Sequence, residues 1–119
     1  MKTHHRYLTS LDRLLIALDN ALVTVAGIPT GSGRDNPADG VKQDALTQVD
    51  REEAARLMRV NHCGEICAQA LYVGQGLTSE DPYIQETMQQ AAREETDHLL
   101  WCEARLAELN SHKSYLNPL

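Results

Sequence analysis

The sequence predicts an all-α chain, on three observations. Apolar residues recur at alternating three- and four-residue steps, the spacing of one face of a helix. The composition is rich in Ala, Leu, Glu, Gln and Arg, with no Phe and a single Trp, which favours helix over sheet. Gly, Pro and Asp cluster in few places, which divides the chain into three helical segments. At 119 residues the chain suffices for one small domain.

Residues 6–26 form the leading helix. Leu8, Leu11, Leu15, Leu18, Leu22 and Val25 make an amphipathic stripe, and Gly27 and Pro29 end it. The favoured reading packs this stripe on the rest of the bundle; the alternative lays it on a membrane surface. The opening "MKTHHRYLTSLDRLLIALDN" has a basic tip, but Asp12, Arg13 and Asp19 interrupt it. It therefore reads as neither a secretion signal nor a membrane span. His4 and His5 are expected in solvent. Residues 28–46, "IPTGSGRDNPADGVKQDAL", predict a long, mobile connection.

A second helix is expected over 51–77, opened by Asp50 with Glu53 in a capping-box arrangement and weakened at its end by Gly74 and Gly76. The short link "TSED" follows. A third helix is expected over 82–110, with Asp81 as its cap and Pro82 in its first position. So short a link makes the second and third helices antiparallel neighbours.

Charge and cysteine usage narrow the function classes. A net charge of −6 argues against nucleic acid as a partner, because phosphate binding requires a basic surface. Cys63, Cys67 and Cys102 are an odd number without a signal peptide, which points to a reducing compartment. Without a CxxC pair they read as small buried hydrophobes rather than zinc ligands.

The chemistry concentrates in "EETDHLLWCEARL", residues 94–106. On a helical wheel centred on Glu95, the residues Ile84, Met88, Ala91, Ala92, Leu99, Cys102, Leu106 and Leu109 all fall on one side, and so does His98. Glu86, Glu94, Asp97 and Glu103 fall on the flanks or behind. An unpaired carboxylate at the centre of a buried stripe is costly or takes up a proton. A metal ion shared with His98 removes that cost. On the second helix, Glu65 is the only formally charged residue between Val60 and Leu77. Cys63 and Cys67 lie far round the wheel from it. Glu65 and Glu95 both sit roughly 20 Å from the turn at ~1.5 Å rise per residue, so the hairpin brings them level. Spacing alone thus predicts one site of Glu65, Glu95 and His98. Glu-x-x-His on an inward helix face, with a further Glu from a neighbouring helix, is the pattern of ferritin-like di-iron and di-manganese bundles. The competing structural reading is a buried, protonated Glu bonded to a neighbour. His62 reads as a residue behind the ligands or on the helix surface, and Tyr72 as packing or the wall of a substrate channel.

The runs "RVNHCGEICAQALYVGQ" (59–75) and "EETDHLLWCEARLAELNS" (94–111), with the ending "LNPL", resemble the demethoxyubiquinone hydroxylase family, the di-iron monooxygenases of ubiquinone biosynthesis. The resemblance covers residues 50–119 well and the leading helix more loosely. It implies a ferritin-like bundle with two irons, in which Glu65 is the first Glu, Glu95 the bridging Glu of the motif and His98 its imidazole. It also implies hydroxylation of a polyprenylated methoxy-benzoquinol with O2 as co-substrate and electrons from NADH or through the quinol. The implied location is peripheral, on the cytoplasmic face of a bacterial membrane. The family repeats the pattern in a second half, whereas this chain stops at Leu119, with three ligands of six. The expectation is the N-terminal part of a longer enzyme, inactive alone, or two copies pairing as a homodimer to supply a symmetric set. Two other readings stand beside it: a ferritin-like iron or manganese binder without oxygenase activity, and a metal-free helical interaction module.

Overall fold

The computed structural model describes residues 7–26 and 30–116, and the side chains of Val25 and Ala26 are not among those described. His4, His5, the Gly27 and Pro29 stop and the closing residues 117–119 lie outside that range. The described residues form three helices: α1 (Ser10–Ala26), α2 (Gln48–Thr78) and α3 (Pro82–Glu108).

Each helix end has a local cause. α1 begins four residues later than expected because Thr9 and Asp12 cap it reciprocally. The Asp12 N–H donates to Thr9 Oγ1 at 3.1 Å, and the Thr9 N–H donates to Asp12 Oδ2 at 2.8 Å. The same device moves the start of α2 back to Gln48. Thr47, rather than Asp50, is its cap. The Asp50 N–H donates to Thr47 Oγ1 at 3.2 Å while the Thr47 hydroxyl donates to Asp50 Oδ2 at 2.6 Å. α3 opens as its sequence predicts, with Asp81 Oδ1 accepting from the Tyr83 N–H at 2.9 Å and Pro82 in the first turn. It closes two residues early in a Schellman motif. Ser111 N–H donates to the Leu106 carbonyl and Asn110 N–H to Ala107, with Asn110 at φ 55° taking the left-handed position usually held by glycine.

α2 and α3 pair as the antiparallel hairpin. Gly76 does not fray α2, which continues to Thr78. A Cβ at Gly76 would lie 3.3 Å from Met88 Cβ, so the glycine lets the two helices approach beside the turn. The core lies towards the far end, where Ala55, Leu99, Cys102, Leu106 and Leu109 are buried together with His62.

Two expectations are overturned. The first concerns residues 30–46, which are fastened along α3 rather than forming a loose connection. Asp97 holds one end through Ser32 and Arg34, and Arg105 holds the other through Gln43. Backbone bonds from Asp39 to Asn36 and from Val41 to Ala38 shape the turn between them. The second concerns α1. Its stripe residues Leu8, Leu11, Leu15, Leu18 and Leu22 are all more than half exposed. The side of α1 that faces the hairpin carries Ile16, Asn20, Val23 and Thr24, and of the stripe leucines Leu8 alone borders the groove between them. Thr24 is buried and its hydroxyl donates to Gln69 Oε1 at 2.7 Å. A groove of about 630 Å³ separates α1 from the hairpin, with Tyr72 and Thr96 among its walls. An amphipathic stripe identifies the apolar face of a helix but not what covers it, and here the hairpin does not.

Candidate metal centre

Glu65 projects from the middle of α2, and Glu95 and His98 project from successive turns of α3. The antiparallel register brings the three side chains level, so that one donor atom from each lies within 4.8 Å of the others. His98 Nδ1 is 3.1 Å from Glu95 Oε2 and 3.5 Å from Glu65 Oε2. The side chains are 13% (Glu95), 24% (Glu65) and 39% (His98) exposed. The cluster is therefore walled by the hairpin on one side and open on the other.

Its electrostatics are those of a cation site. The Glu65 carboxyl is held above the usual carboxylate range, first by its hydrogen bond with Glu95, then by burial and by the Glu95 charge, with His98 pulling the other way. Two carboxylates that close repel each other, which makes Glu65 take up a proton more readily than a free carboxylate does. Hard oxygen donors with one imidazole suit Fe(II) or Mn(II), so the donor set fits the metal that the sequence pattern implies. The Cys102 thiol, buried one turn beyond His98, is pushed up by burial and then by the Glu65, Glu103 and Glu95 charges. It remains a thiol and adds an apolar wall rather than a ligand.

The other singled-out residues fall elsewhere. His62 is fully buried, and its Nε2 lies 3.2 Å from Glu103 Oε1. Lys113 Nζ lies 3.3 Å from the same Glu103 oxygen, so His62 belongs to an inner tie between α2, α3 and the closing segment. It is neither at the helix surface nor among the three donors. Cys67 is exposed and Cys63 half-buried, which corrects their reading as buried hydrophobes. Asp97, expected on the flank of α3, is only 3% exposed. Its carboxylate accepts the Ser32 N–H, the Ser32 hydroxyl and the Arg34 Nε–H, each at 2.7 Å. Burial alone would raise its pKa; the Ser32 and Arg34 bonds outweigh that and hold it below the usual value. No local pattern marked this anchor, because the partners lie more than sixty residues earlier.

An all-helical hairpin with one Glu on its first helix and Glu-x-x-His on its second defines half of a ferritin-like bundle. The family described as Ubiquinone biosynthesis protein COQ7 matches residues 52–119, and the chain belongs to it. The chain is 48% identical over 110 residues to the 3-demethoxyubiquinol 3-hydroxylase of Nitrosomonas eutropha, covering 92% of this chain and 52% of that protein. The protein of the same name from Nitrosococcus oceani is 50% identical over 113 residues (95% and 53%), and that from Acinetobacter baumannii 52% over 114 residues (96% and 54%). The chain thus spans about half the length of the curated relatives it matches. No solved structure matches it.

Proposed function

We propose that this chain supplies half of the di-iron centre of a monooxygenase that hydroxylates a polyprenylated methoxy-benzoquinol, demethoxyubiquinol, in ubiquinone biosynthesis. The observation that carries the reading is the convergence of Glu65, Glu95 and His98 from two helices onto one point. Family membership supplies the substrate class. Iron bound there would supply O2 activation. One oxygen atom would enter the ring and the other would leave as water, with two electrons from a reductant such as NADH or a quinol.

The chain's own residues have distinct tasks. The carboxylates of Glu65 and Glu95 would provide negative charge to offset the metal. His98 offers Nδ1, the ring nitrogen that already faces both carboxylates. Buried Leu99 and Cys102 follow one turn beyond Glu95 and His98 and keep water from that side.

Three donors do not complete a two-iron site, and the partial exposure of the cluster supports further donors entering from its open side. Beside Glu65 on α2 lie Leu57, Val60 and Gly64. Leu57 is 64% and Val60 72% exposed. The missing ligands would come with polypeptide that covers this face, either the remainder of a longer protein or a second copy of the chain. The outward stripe of α1 supports peripheral attachment to the cytoplasmic face of the bacterial membrane. No helix among the described residues is long and apolar enough to cross one.

A chimera tests the reading. The matching half of the Acinetobacter baumannii relative is replaced by this chain and expressed in cells unable to hydroxylate demethoxyubiquinol. Restored ubiquinone, abolished by Glu65→Ala, Glu95→Ala or His98→Ala, is the expected result. Accumulation of demethoxyubiquinone by a folded chimera that loads no iron would overturn it.

A further inference from the structure

Among the groups that the metal reading leaves unused, one connected set begins far from the site and ends on a ligand. Asp97 is next to His98 in sequence but projects from a different side of α3, where residues 31–34 cover it. Trp101 lies one turn beyond both. The Arg34 guanidinium carbon sits 5.2 Å from the centre of the Trp101 ring. The same side chain gives its Nε–H to Asp97 Oδ2 at 2.7 Å. Trp101 also neighbours His98, with ring centres 5.4 Å apart and planes tilted by 42°. Arg34 is thus fixed by a buried carboxylate and faces the indole, and the indole faces the imidazole.

We propose that the segment Gly31–Arg34 is a positioning element for the His98 imidazole, acting through Asp97 and Trp101. The physical case rests on rotamer freedom. His98 is 39% exposed, and its hydrogen bond with Glu95 at 3.1 Å holds only one edge of the ring. A metal ligand left free to rotate gives up affinity, and partners behind the ligands commonly restrain it. Here a packed ring, with its centre 5.4 Å away, adds to the hydrogen bond with Glu95. The indole limits how far the imidazole can swing away from Glu65 and Glu95, and Arg34 holds the indole.

The segment is itself held closely. A Cβ at Gly31 would lie 2.6 Å from Leu100 Cδ1 and 2.9 Å from Asp97 Oδ1. The leucine tip can move, but the carboxylate is fixed by Ser32 and Arg34, so the backbone reaches Asp97 only as glycine. Arg34 cannot be exchanged freely for Lys. An ammonium could lie over the indole or meet the carboxylate, but it lacks the planar fork that does both.

The inference rests on His98 being a metal ligand, and the test separates the two claims. The probes are histidine-ring NMR of the metal-free chain and Co(II) titration of the same samples. The His98 signals are assigned by their loss in His98→Asn. In the wild-type chain the Trp101 ring current is expected to displace them. Arg34→Ala is expected to move them towards free-histidine positions, to leave the His62 signals in place, and to weaken Co(II) binding by about tenfold with altered visible bands. Arg34→Lys is expected to recover part of both effects. Gly31→Ala should act like Arg34→Ala, and it serves as the second variant because Arg34 is half exposed and neither change empties the core. Trypsin cleavage after Arg34 or Lys42 reports whether the segment has been released. Release with unchanged His98 signals and Co(II) affinity within twofold of wild type overturns the proposal. Shifted His98 signals in a chain that binds no Co(II) support the positioning role and overturn the metal reading alone.

Discussion

His98 Nδ1 lies 3.5 Å from Glu65 Oε2, which links a side chain on α3 to one on α2. With Glu95 at 3.1 Å from the same nitrogen, any divalent ion bound by this hairpin must engage both helices. Replacing Glu65, Glu95 or His98 with Ala should therefore abolish Co(II) or Mn(II) binding in calorimetry. Replacing the exposed Glu94, one residue away, should not. Equal loss in all four variants would mean that the acidic surface, not the cluster, attracts the metal.

Glu65→Gln should have opposite effects on the two states. The Glu65 pKa is raised, chiefly by its bond with Glu95, so the folded chain holds that proton more tightly than the unfolded chain does. This contribution is fully present below the ordinary carboxylate value and is lost as pH rises through the raised one. Above the raised value the metal-free hairpin therefore carries a carboxylate repulsion that Gln removes. Differential scanning calorimetry should show a Tm higher by ~2–5 °C without metal and no further gain on adding Mn(II). Wild type should gain with Mn(II) and release protons on binding it, most strongly in the window just above the usual carboxylate range. A lower Tm for the metal-free variant would show that the Glu65–Glu95 pair is net stabilising.

Glu65, Glu95 and His98 were legible in the sequence because helix periodicity and a short link are local properties, and together they fix which residues face each other and at what height. The Asp97 anchor was not legible. A helical wheel ranks burial by the helix's own apolar stripe, and the element that buries Asp97 is a glycine-rich segment more than sixty residues earlier. For α1 the wheel found the apolar face correctly, but the facing partner depends on Thr24, Gln69 and Thr96, whose bonds join three helices and leave no periodic trace. The shift of the α2 cap from Asp50 to Thr47 is the same lesson at short range. Both residues can cap, and the hydroxyl that also donates to Asp50 wins.

His62 separates structural importance from metal binding. It is fully buried and paired with Glu103, so His62→Ala leaves a cavity and takes one partner from the Glu103 carboxylate, which keeps Lys113 at 3.3 Å. Urea denaturation should show a loss of about 2–4 kcal/mol. Co(II) affinity of the variant that stays folded at low temperature should match wild type. A large loss of affinity without loss of stability would place His62 at the metal after all.

The thiols should react in the order of their exposure. Cys67 is exposed, Cys63 half-buried and Cys102 buried, and burial and nearby carboxylates push the Cys102 thiol up. A thiolate-detecting reagent at pH 8 should label Cys67 first and leave Cys102 until the chain unfolds. Mass spectrometry of the partly labelled chain would identify the order. Early labelling of Cys102 would mean that α2 and α3 separate readily at the metal-bearing end.

The outer face of α2 supplies the last test. Leu57, Val60 and Leu71 are 64%, 72% and 57% exposed, and with Gly64 and Cys67 between them they form one side of the helix at three- and four-residue steps. Proteins rarely leave such a continuous apolar strip open unless another surface covers it. If a second copy covers it, light scattering should show the chain passing from monomer to dimer as concentration rises, and Fe(II) added without oxygen should favour the dimer by filling donors from both chains. Leu57→Glu with Val60→Glu should return the chain to monomer and leave its helix content unchanged. The full six-ligand set would then yield two irons per dimer, whereas a monomer holding two irons would show that three donors suffice.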